Sequence, residues 1–358
     1  MTEAQVRTLQ HPHFPMILSK IRQFSSILLI PLLMAAPVLS RAQDETPGHL
    51  RTQEIPLKKG WNAVYLEVEP LDATPAAVFA GVPVDKAAAL FKNPGNQQFV
   101  TDPDVNLSKG QGWGVWYATE LPEAFLKSLD AINGNRAYLV HAKSDFQWRA
   151  TGRVTGAPVA WQPDAFNFTG AAVAAIGGPT FAQYFAGSTA LKNQTIYRMV
   201  NGRWKQVIQP SAESMRSGEA FWIFCKGSSD YQGPLRVEAT GQGLALGRGP
   251  AELTIRNEAP HPLTPTLQHV PGDASPLPLS VLIKTYGDPD APVKLVPVNL
   301  PAAAWQQPMP PLELAGAMAI PFECRSGELL RPVQGSLLKI TTDLGTETWV
   351  PVTGRRDD

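Results

Sequence analysis

Two stretches of this chain repeat one another, and a unit that must be built twice is the tightest constraint in the sequence. "WNAVYLEVEPLDATPAAVFAG" (Trp61 to Gly81) matches "FNFTGAAVAAIGGPTFAQYFAG" (Phe166 to Gly187): Trp61-Asn62 falls on Phe166-Asn167 and Phe79-Ala80-Gly81 on Phe185-Ala186-Gly187. Leu90-Phe91 then falls on Ile196-Tyr197, and Ala137-Tyr138-Leu139-Val140 on Ala220-Phe221-Trp222-Ile223. Several matches in one order mark a duplicated β-module. Each copy opens with a strand, passes through a short segment ending in Phe-Ala-Gly, makes a hairpin and closes on a strongly apolar strand. Asn201-Gly202 is a two-residue hairpin turn in copy two, and Pro94-Gly95 serves similarly in copy one. Copy one carries about 23 extra residues, since the offset between copies falls from 106 to 83, and they include "GQGWGVWYATELPEAFLKSL". Only "VTGAPVAWQPDAF" separates the copies, a linker short enough to predict packed neighbours sharing a core.

Beyond residue 246 the chain changes character. "AELTIRN", "LSVLIKTY", "VKLVPVNL", "AMAIPFEC" and "SLLKITTDLGTETWVPV" are short strands divided by Pro, Gly, Asn and Asp clusters, the pattern of a β-sandwich. The expected architecture is therefore all-β: a duplicated β-module packed as a pair, followed by an immunoglobulin-like β-sandwich. Its parts are an N-terminal extension and signal peptide over 1–42, copy one over 48–158, copy two over 159–243 and the sandwich over 248–358.

The entry strand "LTIRN", the exit "GSLLKITTDLGTETWVPV" and the turn at Asp343-Leu344-Gly345-Thr346 resemble the immunoglobulin-like modules that close exported bacterial surface proteins. The "GWN" strand of copy one is similar to a repeat of exported bacterial multidomain proteins. The resemblance implies adhesion, scaffolding or ligand binding, and it brings no catalytic residues with it.

Export is also written at the N-terminus. Lys20 and Arg22 precede the apolar run "FSSILLIPLLMAAPVL" (Phe24 to Leu39), and Ser40 and Ala42 place small residues where a signal peptidase reads, so cleavage is expected after Ala42. At 16 residues, interrupted by Pro31 and Pro37, the run is short for a membrane span. Residues 1–15 read as an upstream extension of the true start, and no Cys stands near the cleavage site to take a lipid. The expected location is periplasmic, cell-surface or extracellular. The whole chain balances 31 basic against 31 acidic residues without any basic run, which argues against nucleic acid as a partner. Cys225 and Cys324 stand 99 residues apart in different domains and are expected to remain unpaired thiols.

Catalytic signatures are absent: no G-x-S-x-G elbow, phosphate loop or H-E-x-x-H helix occurs, and neither a cofactor nor a metal is expected. Val64, Leu66 and Val68 alternate with Tyr65, Glu67 and Glu69, the pattern of a half-buried strand. Carboxylates two residues apart on a strand lie roughly 6–7 Å apart. That is near the separation of about 6.5 Å at which inverting glycosidases begin. Copy two has an Ala-rich stretch there, however, so the pair reads as a solvated strand face. His141 falls in an apolar strand where copy two has Phe224, which indicates a structural role.

Aromatic residues are the candidate binding groups. "GWGVWY" places Trp113 and Tyr117 on one face of a strand and Trp116 on the other, inside the segment peculiar to copy one. Such rings stack on a sugar or accept a partner side chain, or else they fill a core. Gly114 and Ala118 beside Trp116 are small, so Trp116 is the ring expected to be buried. The function that fits is an exported, non-enzymatic β-protein acting in binding, adhesion or assembly on a protein or polysaccharide at the cell envelope. A carbohydrate-binding protein or an acid-dependent carbohydrate hydrolase is the alternative. N-terminal sequencing of the exported protein is expected to start at Gln43; recovery of residues 16–42 on it would refute the signal-peptide reading.

Overall fold

The computed structural model describes residues 49–91, 112–239, 241–247, 249–272, 275–285, 294–302 and 306–356. The signal segment and the Pro94-Gly95 turn lie outside these residues. Residues 45–358 form one compact unit, and the architecture is all-β.

Copy one is a two-layer sandwich. Strands β2 (Gly60–Leu66), β6 (Arg136–Ala142), β4 (Val84–Leu90) and β5 (Trp113–Tyr117) form one antiparallel sheet in the order β2-β6-β4-β5. Strands β1 (Leu50–Leu57), β7 (Phe146–Val154) and β3 (Val68–Pro70) form the second, in the order β1-β7-β3. Between the layers lie Ile55, Leu57, Val64, Leu66, Trp116, Tyr138, Val140 and Trp148, with Phe79 supplied by the turn after helix α1 (Pro75–Val78).

Copy two repeats the first sheet strand for strand. Strands β8 (Ala165–Gly170), β11 (Ala220–Cys225), β9 (Ile196–Val200) and β10 (Arg203–Gln206) pair in the order β8-β11-β9-β10, all antiparallel. Opening strand, closing strand and the first and second arms of the hairpin thus take the same places in both modules. The shared asparagine has one job in each copy. Asn62 accepts from the Lys58 N–H and donates to the carbonyls of Lys58 and Gly60. Asn167 accepts from the Gln162 N–H and donates to the carbonyls of Gln162 and Ala165. In both, the amide closes the turn that leads into the opening strand. Asn201 and Gly202 both take positive φ, 51° and 74°, so β9 turns into β10 through the two residues that the sequence marks.

The two four-stranded sheets pack face to face. Trp61, Ala63, Tyr65, Ala137 and Leu139 of copy one meet Phe166, Tyr197, Trp204, Ala220 and Trp222 of copy two in a single buried cluster. Alternation explains the match, because the aligned pairs Ala137/Ala220 and Leu139/Trp222 point into this seam while Tyr138/Phe221 and Val140/Ile223 point into each module's own core. Gly170 lets the sheets approach, since a Cβ there would overlap the Tyr65 side chain. Within copy two a buried bidentate pair braces the approach to β11: Arg198 donates to Glu219 from Nε at 2.9 Å and from Nη2 at 2.5 Å. Next to it the Gly218 carbonyl accepts from the Tyr65 N–H at 2.9 Å, joining the modules through backbone.

The opposite face of copy two is covered by α2 (Phe181–Phe185), with Phe181, Phe185, Leu191, Phe221, Ile223 and Cys225 beneath it. Copy two builds no counterpart of the β1-β7-β3 layer. Its β12 (Leu235–Glu238), which follows β11 as β7 follows β6, pairs instead with β14 (Ala251–Asn257) of the third domain. The C-terminal β-sandwich therefore takes in chain that precedes residue 248. One sheet runs β12-β14-β19-β16-β17, with β19 at Ala317–Cys324, β16 at Leu279–Thr285 and β17 at Lys294–Leu300. The other runs β13-β21-β20-β15-β18: β13 (Leu244–Leu246), β21 (Glu347–Arg355), β20 (Val333–Thr342), β15 (Pro265–Pro271) and β18 (Gln306–Pro308). Leu235, Leu244 and Leu246 enter its core, which is why the strands around them belong there.

Trp222 is fully buried at the centre of the seam, stacked on Phe168 with ring centroids 4.9 Å apart and edge-on to Trp204 at 6.2 Å. Trp222→Ala is expected to cost about 3–5 kcal/mol, the loss typical of a truncated core aromatic. Denaturant titration should register it as one cooperative transition of both modules. Separate transitions for the two would show that the seam does not couple them.

Candidate functional site

The aromatic strand β5 divides as its alternation requires. Trp116 is buried and stacks on Phe79 with centroids 5.4 Å apart, inside the sandwich of copy one. Trp113 and Tyr117 are half-buried on the other face and border the inter-module seam. Trp113 lies edge-on to Phe168 at 5.9 Å and to Trp222 at 6.4 Å. Its ring is thereby spent on copy two rather than held out as a flat platform.

Of the glutamates that the sequence places on a solvated face, Glu67 is not solvated and Glu69 is half-buried. Glu67 is 8% exposed. Its Oε2 accepts from Arg51 Nη2 at 2.5 Å and its Oε1 from Gln53 Nε2 at 3.2 Å, while the Gln53 Oε1 accepts from the Glu67 N–H at 2.8 Å. Glu69 accepts from the Gly134 N–H at 2.6 Å. The strand itself pauses at Glu67, between β2 and β3. The correction has a plain cause: copy two covers the second face of β2, so both faces are buried. A charge there survives only with a partner, and β1 supplies Arg51. The Arg51 guanidinium in turn lies 4.7 Å above the Trp349 ring of β21, and Lys339 Nζ 5.2 Å from it. Burial lifts the Glu67 carboxyl above its ordinary range, and the Arg51 charge pulls against that rise.

His141 is structural: Nδ1 meets Asp85 Oδ1 at 2.6 Å and its ring stands edge-on to Trp61 at 5.2 Å. Cys225 and Cys324 are free thiols. Among the described residues, no three His, Cys, Asp or Glu side chains converge as metal ligands, and no helix is long and apolar enough to cross a membrane.

The feature that sequence reasoning missed lies at the edge of the sandwich. Strands β16 and β17 pair antiparallel, with Leu279 opposite Leu300, Val281 opposite Val298 and Ile283 opposite Val296. Directly opposed residues share a face. The first rung, Leu279 and Leu300, is buried in the sandwich core. The same face then continues outward uncovered: Val298 is 40%, Val296 42% and Ile283 48% exposed. The hairpin thus carries the core-facing ladder beyond the core as an apolar arm. Pro297 at the centre of β17 offers no N–H, the usual placement of a proline on an edge strand. Whole-strand addition would therefore lack a bond at its centre, and the arm presents side chains. Both strands are legible in the sequence; what lies over them is not.

No family model and no curated protein matches the chain. Among solved structures, the ASH / PapD-like domain 7 of human CEP192 is similar over 35% of this chain and 86% of its own, at 10% identity and a TM-score of 0.21. Escherichia coli alpha-2-macroglobulin activated by porcine elastase is similar over 86% of this chain and 35% of its own, at 11% identity and a TM-score of 0.19. At these values neither likeness bears on function.

The Arg51–Glu67 pair can be tested through pH. Arg51→Met leaves a buried carboxylate without its cation and is expected to cost about 3–5 kcal/mol at pH 7. Without Arg51 the native carboxyl is lifted further above its unfolded value, so the native state holds the proton first and stability recovers as pH falls. Urea titrations at pH 7 and pH 5 should show a smaller deficit at pH 5. An equal deficit at both would mean that the carboxylate charge is not the source of the loss.

Proposed function

We propose that this chain is an exported, non-catalytic modular protein that attaches to a protein partner at the cell envelope, and that the β16–β17 arm is the element that attaches. The single observation behind this reading is the exposed ladder of Ile283, Val296 and Val298, continuous through the half-buried Val281 with the sandwich core at Leu279 and Leu300. Other exposed apolar side chains among the described residues, such as Phe125, Ile176 and Leu330, lie outside this ladder. Scattered apolar residues are normal on a surface, whereas a contiguous apolar strip on a protein marks an interaction site. The ladder is aliphatic and carries no aromatic ring. That favours apolar protein side chains over a polysaccharide, whose recognition calls for flat rings. Of the rings in question, Trp113 is already engaged by copy two and Tyr117 is packed against the seam cluster. Export rests on the N-terminal segment, and the absence of catalytic signatures supports a binding role.

The triple variant Ile283→Ser, Val296→Ser, Val298→Ser removes the ladder. Its stability should stay within about 0.5 kcal/mol per substitution, as expected at exposed positions. Its recovery in the cell-envelope fraction, and its crosslinking to envelope proteins, should fall to background. Wild-type recovery by the folded variant would overturn the assignment of the arm.

A further inference from the structure

The three domains enclose a cavity that none of them could form alone. Its volume is about 230 Å³. Copy one contributes Arg51, Tyr65 and Glu67, copy two contributes Tyr184, and β21 of the sandwich contributes Glu347 and Trp349. Backbone of the inter-module linker at 155–159 and of the connection at 241–243 closes the rest. The walls are neither a dry core nor an open groove. They combine three rings with polar tips and charges.

Each charge of the wall has a partner. Arg51 meets Glu67 at 2.5 Å within it, and Glu347 is met at 2.8 Å by Lys339, which is not itself part of the lining. A ligand carrying net charge would therefore find no counter-charge to spare and would lose its hydration on entry. The donors, by contrast, are not all used. Burial and neighbouring charge act on the phenols of Tyr65 and Tyr184, and no hydrogen bond to a described residue ties down either hydroxyl. The Trp349 indole N–H also has no partner among the described residues, but it is sealed from the cavity and can serve no occupant. The two phenol hydroxyls are therefore the donors that the wall offers an occupant. The Tyr65 and Tyr184 rings add apolar surface beside them, while the Trp349 face is taken by Arg51. The volume lies below the roughly 300–1,000 Å³ of drug-sized sites, which sets the size of the occupant.

We propose that this junction is a binding site for a small, uncharged, polyhydroxylated ligand of monosaccharide size, whose oxygens accept from Tyr65 and Tyr184. The site is separate from the β16–β17 arm and does not depend on the arm's role. Because all three domains line it, an occupant would also hold the modules to the sandwich.

The test uses the purified chain from residue 43 with a panel of glucose, galactose, mannose, N-acetylglucosamine and myo-inositol, with glucosamine and gluconate as charged counterparts. Saturation-transfer NMR and thermal shift are the readouts. At least one neutral member is expected to bind at millimolar concentration and to raise the melting temperature, while the charged counterparts bind more weakly. Tyr184→Phe removes one hydroxyl from a ring that stays in place. It should weaken that binding about three- to tenfold, the worth of one hydrogen bond, without lowering the melting temperature of the free protein. The triple arm variant should bind the same ligand as the wild type does, so the fate of the arm and the fate of this site are read separately. Absence of binding by every neutral member at about 10 mM would overturn the proposal. So would equal binding of the charged counterparts, or binding that Tyr184→Phe leaves unchanged.

Discussion

Everything else in the molecule depends on the aromatic seam between the two duplicated sheets. Each sheet presents a wide apolar face, with Trp61 and Tyr65 on one side and Phe166, Trp204 and Trp222 on the other. Such faces are stable only when covered. The two sheets cover each other because alternation gives each an apolar face, and Gly170 spares a Cβ that would overlap Tyr65. The pair is consequently not two beads on a string. A strand such as β2, which in isolation would be half-buried, has copy one's core on one face and copy two on the other.

That double burial propagates. Tyr65 and Glu67 are drawn inside together, and Glu67 becomes tolerable only because Arg51 and Gln53 reach it from β1. Arg51 then stacks on Trp349, so the charge that neutralises a strand in copy one also rests against the sandwich. The chain makes the same connection through backbone, since β12 leaves copy two and joins the sheet of β14. Val173 of copy two bridges to Thr346 beside the β20–β21 turn. Three domains locked in this way leave two irregularities. One is the cavity where they meet, and the other is the arm at the far edge, where Ile283, Val296 and Val298 are exposed.

The residues explain how far sequence reasoning could reach. The likeness of the two stretches was legible in their alternation and shared asparagine, and the two sheets have the same strand order. The Asn201-Gly202 turn was legible because few residues accept positive φ at both positions. The separation of Trp116 from Trp113 and Tyr117 followed from strand period alone. Glu67 was misread for the complementary reason: a period of two says which residues share a face, and it is silent about what lies over that face. The alternation of Val64, Leu66 and Val68 with Tyr65, Glu67 and Glu69 is the same whether the second face meets water or another sheet.

By itself, then, the sequence determined the all-β class, the sandwich strands and the faces on which the aromatic side chains fall, because these follow from local period and turn chemistry. Only the tertiary structure decided that β12 belongs to the sandwich, that Arg51 and Glu67 pair beneath Trp349, that a cavity opens among three domains, and that Ile283, Val296 and Val298 stay uncovered. Each of these depends on contacts between segments far apart in the chain. Such contacts arise from the shape and area of whole faces, which no short stretch of residues encodes.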